Sequence, residues 1–184
     1  MDGALGWISA IAEWFGQFIP RWQIVPTTHG GVKFVRGAHV VKLEAGWHVY
    51  WPVTTQMVIY PVKRQANDLR AQTVVTTDNR TAVVGGLIVY EVSDIERLVA
   101  ETFDPDDTIR DVALSAIHDV CIQYDWGGLH AAAQSGELDR ALLKETRRNL
   151  ERYGVRVLKM ALTDLAPCRV YRLVQSNVQY SGVS

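Results

Sequence analysis

The residues best placed to do chemistry form one polar knot, Thr76-Thr77-Asp78-Asn79-Arg80, between two apolar runs in "VVTTDNRTAVVGGLIVYEVSD" (Val74 to Asp94). Two hydroxyls beside an acid, an amide and a base are the raw material of a hydrolase, with Thr77 as nucleophile and Asp78 assisting. An active threonine needs an adjacent base oriented by a third group, and nothing else in the chain points to such a set. Asp and Asn tolerate left-handed backbone and bond to their own main chain, so the same residues suit a hairpin tip. The tip is the expectation, and with it a protein that is not an enzyme.

Other candidate chemistry is sparse. The five histidines, His29, His39, His48, His118 and His130, include no i, i+4 pair and have no acidic or cysteine cluster around them, so no metal site is expected. His39 and His48 fall in different strands and could meet only through the fold. Cys121 and Cys168 lack CxxC spacing, which suits a reducing compartment without zinc or a disulfide framework. Neither Gly30-Gly31 nor Gly85-Gly86 lies between a strand and a helix as a phosphate-cradling loop must. Gly85-Gly86, inside a strand pattern, predicts a bulge or a close backbone approach. No cofactor is expected. A formal charge of -1 with 21% charged residues gives no general attraction to nucleic acid.

The elements that position these residues follow from periodicity. Short β-type runs span Val32 to Val35, Ala38 to Leu43, Trp47 to Trp51, Gln56 to Tyr60, Leu69 to Val75 and Thr81 to Val92, with Pro52 and Pro61 as stops. Ser93 or Asp94 can cap a helix from Ile95 to Ala100. Asp104-Pro105-Asp106-Asp107 opens a longer one with Ile109, Val112, Ala113, Ala116, Ile117 and Val120 on its apolar face. Trp126 to Gly136 reads as a loop or loosely helical stretch. Leu138 to Tyr153 is a third helix, with Leu138, Leu142, Thr146, Leu150 and Tyr153 inward, stopped by Gly154. Val155 to Thr163 is a final strand, and Pro167 opens a short helical tail. Strands, then helices, then one strand predict an α+β fold with a strongly twisted antiparallel sheet. On the third helix Arg140, Lys144, Arg147, Arg148 and Arg152 stand against Asp139, Glu145 and Glu151. That pattern suits a solvated, ion-paired face, or a surface that meets anionic headgroups or an acidic neighbour.

Ahead of these elements lies "GALGWISAIAEWFGQFI", Gly3 to Ile19, closed by Pro20. It lacks a basic n-region and a cleavage site, unlike a signal peptide. As a helix it would cover roughly 26 Å, short of the ~30 Å hydrocarbon core, and it carries Glu13 and Gln17. Ala4, Trp7, Ile8, Ile11, Trp14, Phe15 and Phe18 share one helical face. Such a helix can lie in the plane of a bilayer interface, where tryptophan is favoured, or pack on the protein's own core or on a partner chain. If it inserts, Arg21, Lys33 and Arg36 after it, against Asp2 before it, favour the cytoplasmic side for the domain.

From about Val25 to Val174 the order of features resembles the SPFH (band 7) family of stomatin, prohibitin and flotillin-like proteins. "GVKFVRGAHVVKLEAGWHVYWPVTTQMVIYPV" is similar to the family's opening. "LRAQTVVTTDNRTAVVGGLIVYEVSDIERLV" is similar to the hairpin that follows, with Thr77, Asp78, Asn79, Tyr90, Val92 and Asp94 at the matching positions. "LDRALLKETRRNLERYGVRVLKMALTDLAP" supplies the helix-Gly-strand and a terminal D-x-x-P at Asp164 to Pro167. The resemblance implies residues 1–23 as an anchoring segment, 24–174 as the SPFH-like domain and 175–184 as a short tail. It implies Leu5, Trp7, Ile8, Ile11, Trp14, Phe15, Phe18 and Ile19 as membrane-anchoring residues. The protein would then be a non-catalytic scaffold whose partners are itself, membrane lipid and membrane proteins such as a protease. Family members continue into a long Ala/Glu-rich coiled coil; here "YSGVS" follows soon after Val174 without heptads, so lateral association or a small ring is expected rather than a large cage. The other reading is a soluble adaptor whose N-terminal helix docks onto a membrane protease or a viral assembly.

Overall fold

The computed structural model describes residues 19–37 and 39–168. Among the described residues eight strands come in the order β1 (Arg21–Val25), β2 (His29–Val35), β3 (His39–Leu43), β4 (Gly46–Tyr50), β5 (Thr55–Pro61), β6 (Gln65–Val75), β7 (Thr81–Val92) and, after the helices, β8 (Val155–Pro167). Between β7 and β8 lie α1 (Ile95–Glu101), α2 (Pro105–Cys121), α3 (Trp126–Ser135), α4 (Glu137–Leu150) and a 3-10 turn at Glu151–Tyr153. This is the expected α+β order.

The strands do not form one sheet, as periodicity suggested. They form three antiparallel sheets: β1 with β4, then β3-β2-β5, then β6-β7-β8. Gly46, at φ +146°, turns the chain away from β3 after a two-residue link, and β4 pairs with β1 instead. Strand β1, Arg21–Val25, lies ahead of the first β-type run expected from periodicity, which starts at Val32.

The core sits on β6-β7-β8. Central β7 buries Ala82, Val84, Ile88, Tyr90 and Val92, and α2 and α4 cover the sheet with Ile109, Ile117, Leu138, Leu142 and Leu150. Gly85-Gly86 has the predicted role. The register shifts on both sides of it, between Leu69 and Gln72 on β6 and opposite Asp164 and Leu162 on β8. A Cβ on Gly85 would stand 2.7 Å from Asp164 Oδ2, and one on Gly86 would stand 3.0 Å from Ile117 Cδ1. The missing side chain at Gly86 lets α2 lie close on the bulged sheet, and that at Gly85 leaves room for Asp164 of β8. Cys121 is a core residue of α2, and burial pushes its thiol up to about 11, which keeps it protonated and inert at neutral pH.

Boundaries also differ from expectation. Trp126–Ser135 is an ordered helix capped by Asp125, whose Oδ1 accepts from Gly128 N at 3.1 Å. Its apolar signal is weak because only Leu129 and Ala132 are buried and Gly127-Gly128 lower its intrinsic propensity. Strand β8 continues past Thr163 to Pro167, which pairs with Ala82 at the end of an edge strand, where proline is tolerated. The helical tail expected after Pro167 lies outside the described residues, as does the N-terminal helix.

Candidate functional site

The polar knot is a latch. Asn79 adopts φ +60° at the tip of the β6–β7 hairpin. The buried Thr76 hydroxyl reaches Asp78 Oδ1 at 2.5 Å and Arg80 O at 2.9 Å. Asp78 Oδ1 also accepts from Trp126 N at 3.2 Å, and Oδ2 meets Arg80 Nε at 3.1 Å. Thr77 N donates to Tyr124 O at 3.0 Å. The acid, the base and one hydroxyl are therefore used in fastening the hairpin tip to the start of α3.

The Thr76 hydroxyl first, then the Trp126 amide and Arg80, hold the Asp78 carboxyl below the ordinary carboxylate range. A carboxyl lowered in the folded state contributes stability above its unfolded pKa and loses it as pH falls through the folded value. We expect Asp78→Asn to lower the urea midpoint at pH 7 but to match wild type once the pH is below the folded pKa of Asp78. A constant difference across that range would show that the ionised form is not what the latch uses.

The remaining candidates are dispersed. His39 in β3 and His48 in β4 belong to different sheets, and His48 Nε2 contacts Glu44 O at 2.7 Å. Among the described residues no group of three His, Cys, Asp or Glu is placed to hold a metal ion. On α4, Arg148 pairs with Glu145, Arg147 Nε donates to Val157 O at 2.8 Å, and Asp139 Oδ1 accepts from Leu162 N at 3.2 Å. Arg140 and Lys144 make no ion pair among the described residues.

The unusual surface is the β1–β4 ribbon. Its register opposes Trp22 to Val49 and Ile24 to Trp47, and directly opposed residues of an antiparallel pair share a face. Trp22 and Trp47 are each 70% exposed, and Ile24 and Val49 about half exposed. Trp51 and Val53 extend the apolar character past the end of β4. The other face carries Arg21, Gln23, His48 and Tyr50, and it seats the buried Val25 on β2 beside Gly31. One side of the ribbon is thus fixed to the domain and the other presents aromatic and aliphatic side chains outward. Isolated exposed apolar residues are common on proteins; a contiguous set on one face marks a contact surface.

Of the eight anchoring residues expected from the sequence, Leu5, Trp7, Ile8, Ile11, Trp14, Phe15 and Phe18 lie outside the described residues. Ile19 is described and exposed, two residues before β1 begins, so the ribbon continues directly from the Trp-rich segment. Among the described residues no helix is long and apolar enough to cross a membrane. The ribbon residues were not among the expected site residues. The available signal was the period-two series Trp47, Val49, Trp51 with the matching Trp22, Ile24, but their common face depends on β1 pairing with β4.

A family model described as the SPFH domain / Band 7 family matches residues 23–179. The chain is 24% identical over 145 residues to an uncharacterized protein of Methanocaldococcus jannaschii, a match covering 78% of this chain and 71% of that one. It is 33% identical over 82 residues to an uncharacterized protein of Archaeoglobus fulgidus, covering 45% of this chain and 33% of that one.

Proposed function

We propose, from the premise that this chain belongs to the SPFH domain / Band 7 family, that it is a membrane-associated scaffold that organises lipids or membrane proteins by associating laterally with itself, without catalysis of its own. The observation that carries this reading is the outward apolar face of Trp22, Ile24, Trp47 and Val49, whose first strand follows residues 3–19 directly in sequence. Tryptophan suits the headgroup level of a bilayer because its ring is apolar and its N–H can still find a partner. Residues 1–23 are the anchor in this reading, with Leu5, Trp7, Ile8, Ile11, Trp14, Phe15, Phe18 and Ile19 on the lipid. Residues 24–174 form the domain, held on the cytoplasmic side by Arg21, Lys33 and Arg36, and residues 175–184 a tail. A basic flank next to an apolar segment gains from anionic headgroups. Membrane proteins such as a protease are the partners it organises in this reading.

Flotation with liposomes tests the anchor. The intact chain should float, and a Trp14→Glu, Phe18→Glu variant should stay with the soluble fraction. Equal behaviour of the two would sink this anchor, and a wild-type chain that never floats would favour the adaptor reading, in which the N-terminal segment docks onto a protein.

A further inference from the structure

The segment between α1 and α2 presents a rigid apolar knob in an acidic setting. Phe103 is fully exposed. Around it, Glu101 to Asp107 contains four carboxylates, at Glu101, Asp104, Asp106 and Asp107, of which Asp107 is paired with Arg110 on α2. The loop is clamped on both sides. Thr102 Oγ1 donates to Leu98 O at 2.6 Å, Asp104 Oδ1 accepts from the amides of Asp106 and Asp107 at 3.0 and 3.2 Å, and Tyr60 OH donates to Asp106 Oδ1 at 2.5 Å. A large aromatic ring held out on a braced loop is a preformed anchor for a partner surface. Because the loop is already ordered, little entropy is lost when it docks.

A complementary surface lies on α4. Arg140, Leu143, Lys144, Arg147 and Arg148, with Glu151 at one end, line a shallow groove of about 440 Å³. Leu143 and the aliphatic stems of the cations give it apolar surface; Arg147 and Arg148 are held by Val157 O and Glu145, and Arg140 and Lys144 make no ion pair among the described residues. A phenyl ring can enter such a groove with its face toward a guanidinium, and the carboxylates beside Phe103 would meet the rim. The chain is nearly neutral overall, at -1, so the two patches are a local separation of opposite charge. They share no residue.

We infer that the Phe103 loop of one copy of this chain docks in the α4 groove of the next copy. This inference rests on the lateral self-association proposed above and names the surfaces that make it. A contact between two different surfaces leaves one of each free on every pair, so it propagates, and it closes into a ring when the rotation allows. Opposed charges steer the encounter and set its register, while the buried phenyl supplies most of the hold.

The test uses the full chain in mild detergent, followed by sedimentation over a range of concentrations, with liposome flotation in parallel. Phe103→Ala should weaken association by about tenfold or more, as loss of an aromatic anchor does. Glu101→Lys and Lys144→Glu, at residues that make no capping bond, should each weaken it too. Mixing those two variants, or combining them in one chain, should restore it, because the reversed loop then fits the reversed groove. Restoration is an outcome that damage to folding cannot produce. Association of all variants equal to wild type would overturn the docking surfaces while leaving membrane scaffolding intact. A wild-type chain that stays monomeric at every concentration, on lipid as well, would overturn both. If Lys144→Glu reduces flotation on anionic vesicles and leaves sedimentation unchanged, the groove reads lipid headgroups and the inference fails.

Discussion

Replacing Trp22 and Trp47 together with serine is expected to cut partition of the full chain onto liposomes by about a hundredfold or more while leaving the urea midpoint unchanged. An aromatic side chain offers roughly 150–250 Å² of burial. At about 25 cal/mol per Å², seating half of that in the interface gives about 2–3 kcal/mol per residue. Both rings are 70% exposed in the folded domain, so the fold already does without their burial. The substitution therefore removes energy gained on lipid and little of the energy that folds the chain. Vesicle titration followed by intrinsic fluorescence measures the first quantity, and chemical denaturation the second. Unchanged partition would place the whole anchor in residues 1–18, with the ribbon facing something else. A fall in both quantities would mean that the indoles pack on the domain.

The second large effect concerns two glycines with almost the same backbone. Gly136 and Gly154 have φ +71° and +72°, each ending a helical segment. A Cβ on Gly136 meets nothing within 4 Å, whereas one on Gly154 would stand 2.6 Å from Asp94 O and 2.8 Å from Asp94 Cβ. Gly154 O also accepts from Ser93 N, Asp94 N and Ser93 Oγ at 2.9, 3.0 and 2.8 Å. Gly136→Ala should therefore cost only the left-handed penalty, about 1–2 kcal/mol. Gly154→Ala adds a collision with main chain and strains three converging hydrogen bonds, for a total of about 3–5 kcal/mol. Against a typical stability of roughly 5–15 kcal/mol, that is enough to leave the domain marginal. Urea unfolding of the two variants at matched slope distinguishes them. Equal losses would show that Asp94 and the start of α1 shift without resistance.

Local features of the fold were legible where one physical cause dominated. Asp104-Pro105-Asp106-Asp107 predicts a helix start from capping and dipole alone, and α2 begins at Pro105 with Asp104 as its cap. Leu138, Leu142, Thr146 and Leu150 follow one face of a helix, and all four are buried. Gly154 ends that segment as predicted. The Thr76 to Arg80 knot reads as a turn because Asp and Asn carry local backbone-bonding preferences with them. Its second role, fastening α3 through Asp78 and Trp126 N, joins residues 48 apart, and no local preference records that. The helix Trp126–Ser135 reads from sequence only as a loop or loosely helical stretch for a similar reason: its stability comes from Asp125 and from packing against α4, not from a strong period.

By itself the sequence determined the order of elements apart from β1 and α3, the turn at Asn79, the bulge at Gly85-Gly86 and family membership over most of the chain, because each depends on near neighbours or on their order. It also marked residues 3–19 as unusually rich in tryptophan. Only the tertiary structure decided that the strands divide into three sheets and that β1 pairs with β4. That pairing brings Trp22 and Ile24 onto one face with Trp47 and Val49. Strand pairing is a choice among distant partners, made by burying Val25 on β2 and by the turn at Gly46. Alternation along one strand gives a side chain its face, but which distant residues share that face depends on the pairing.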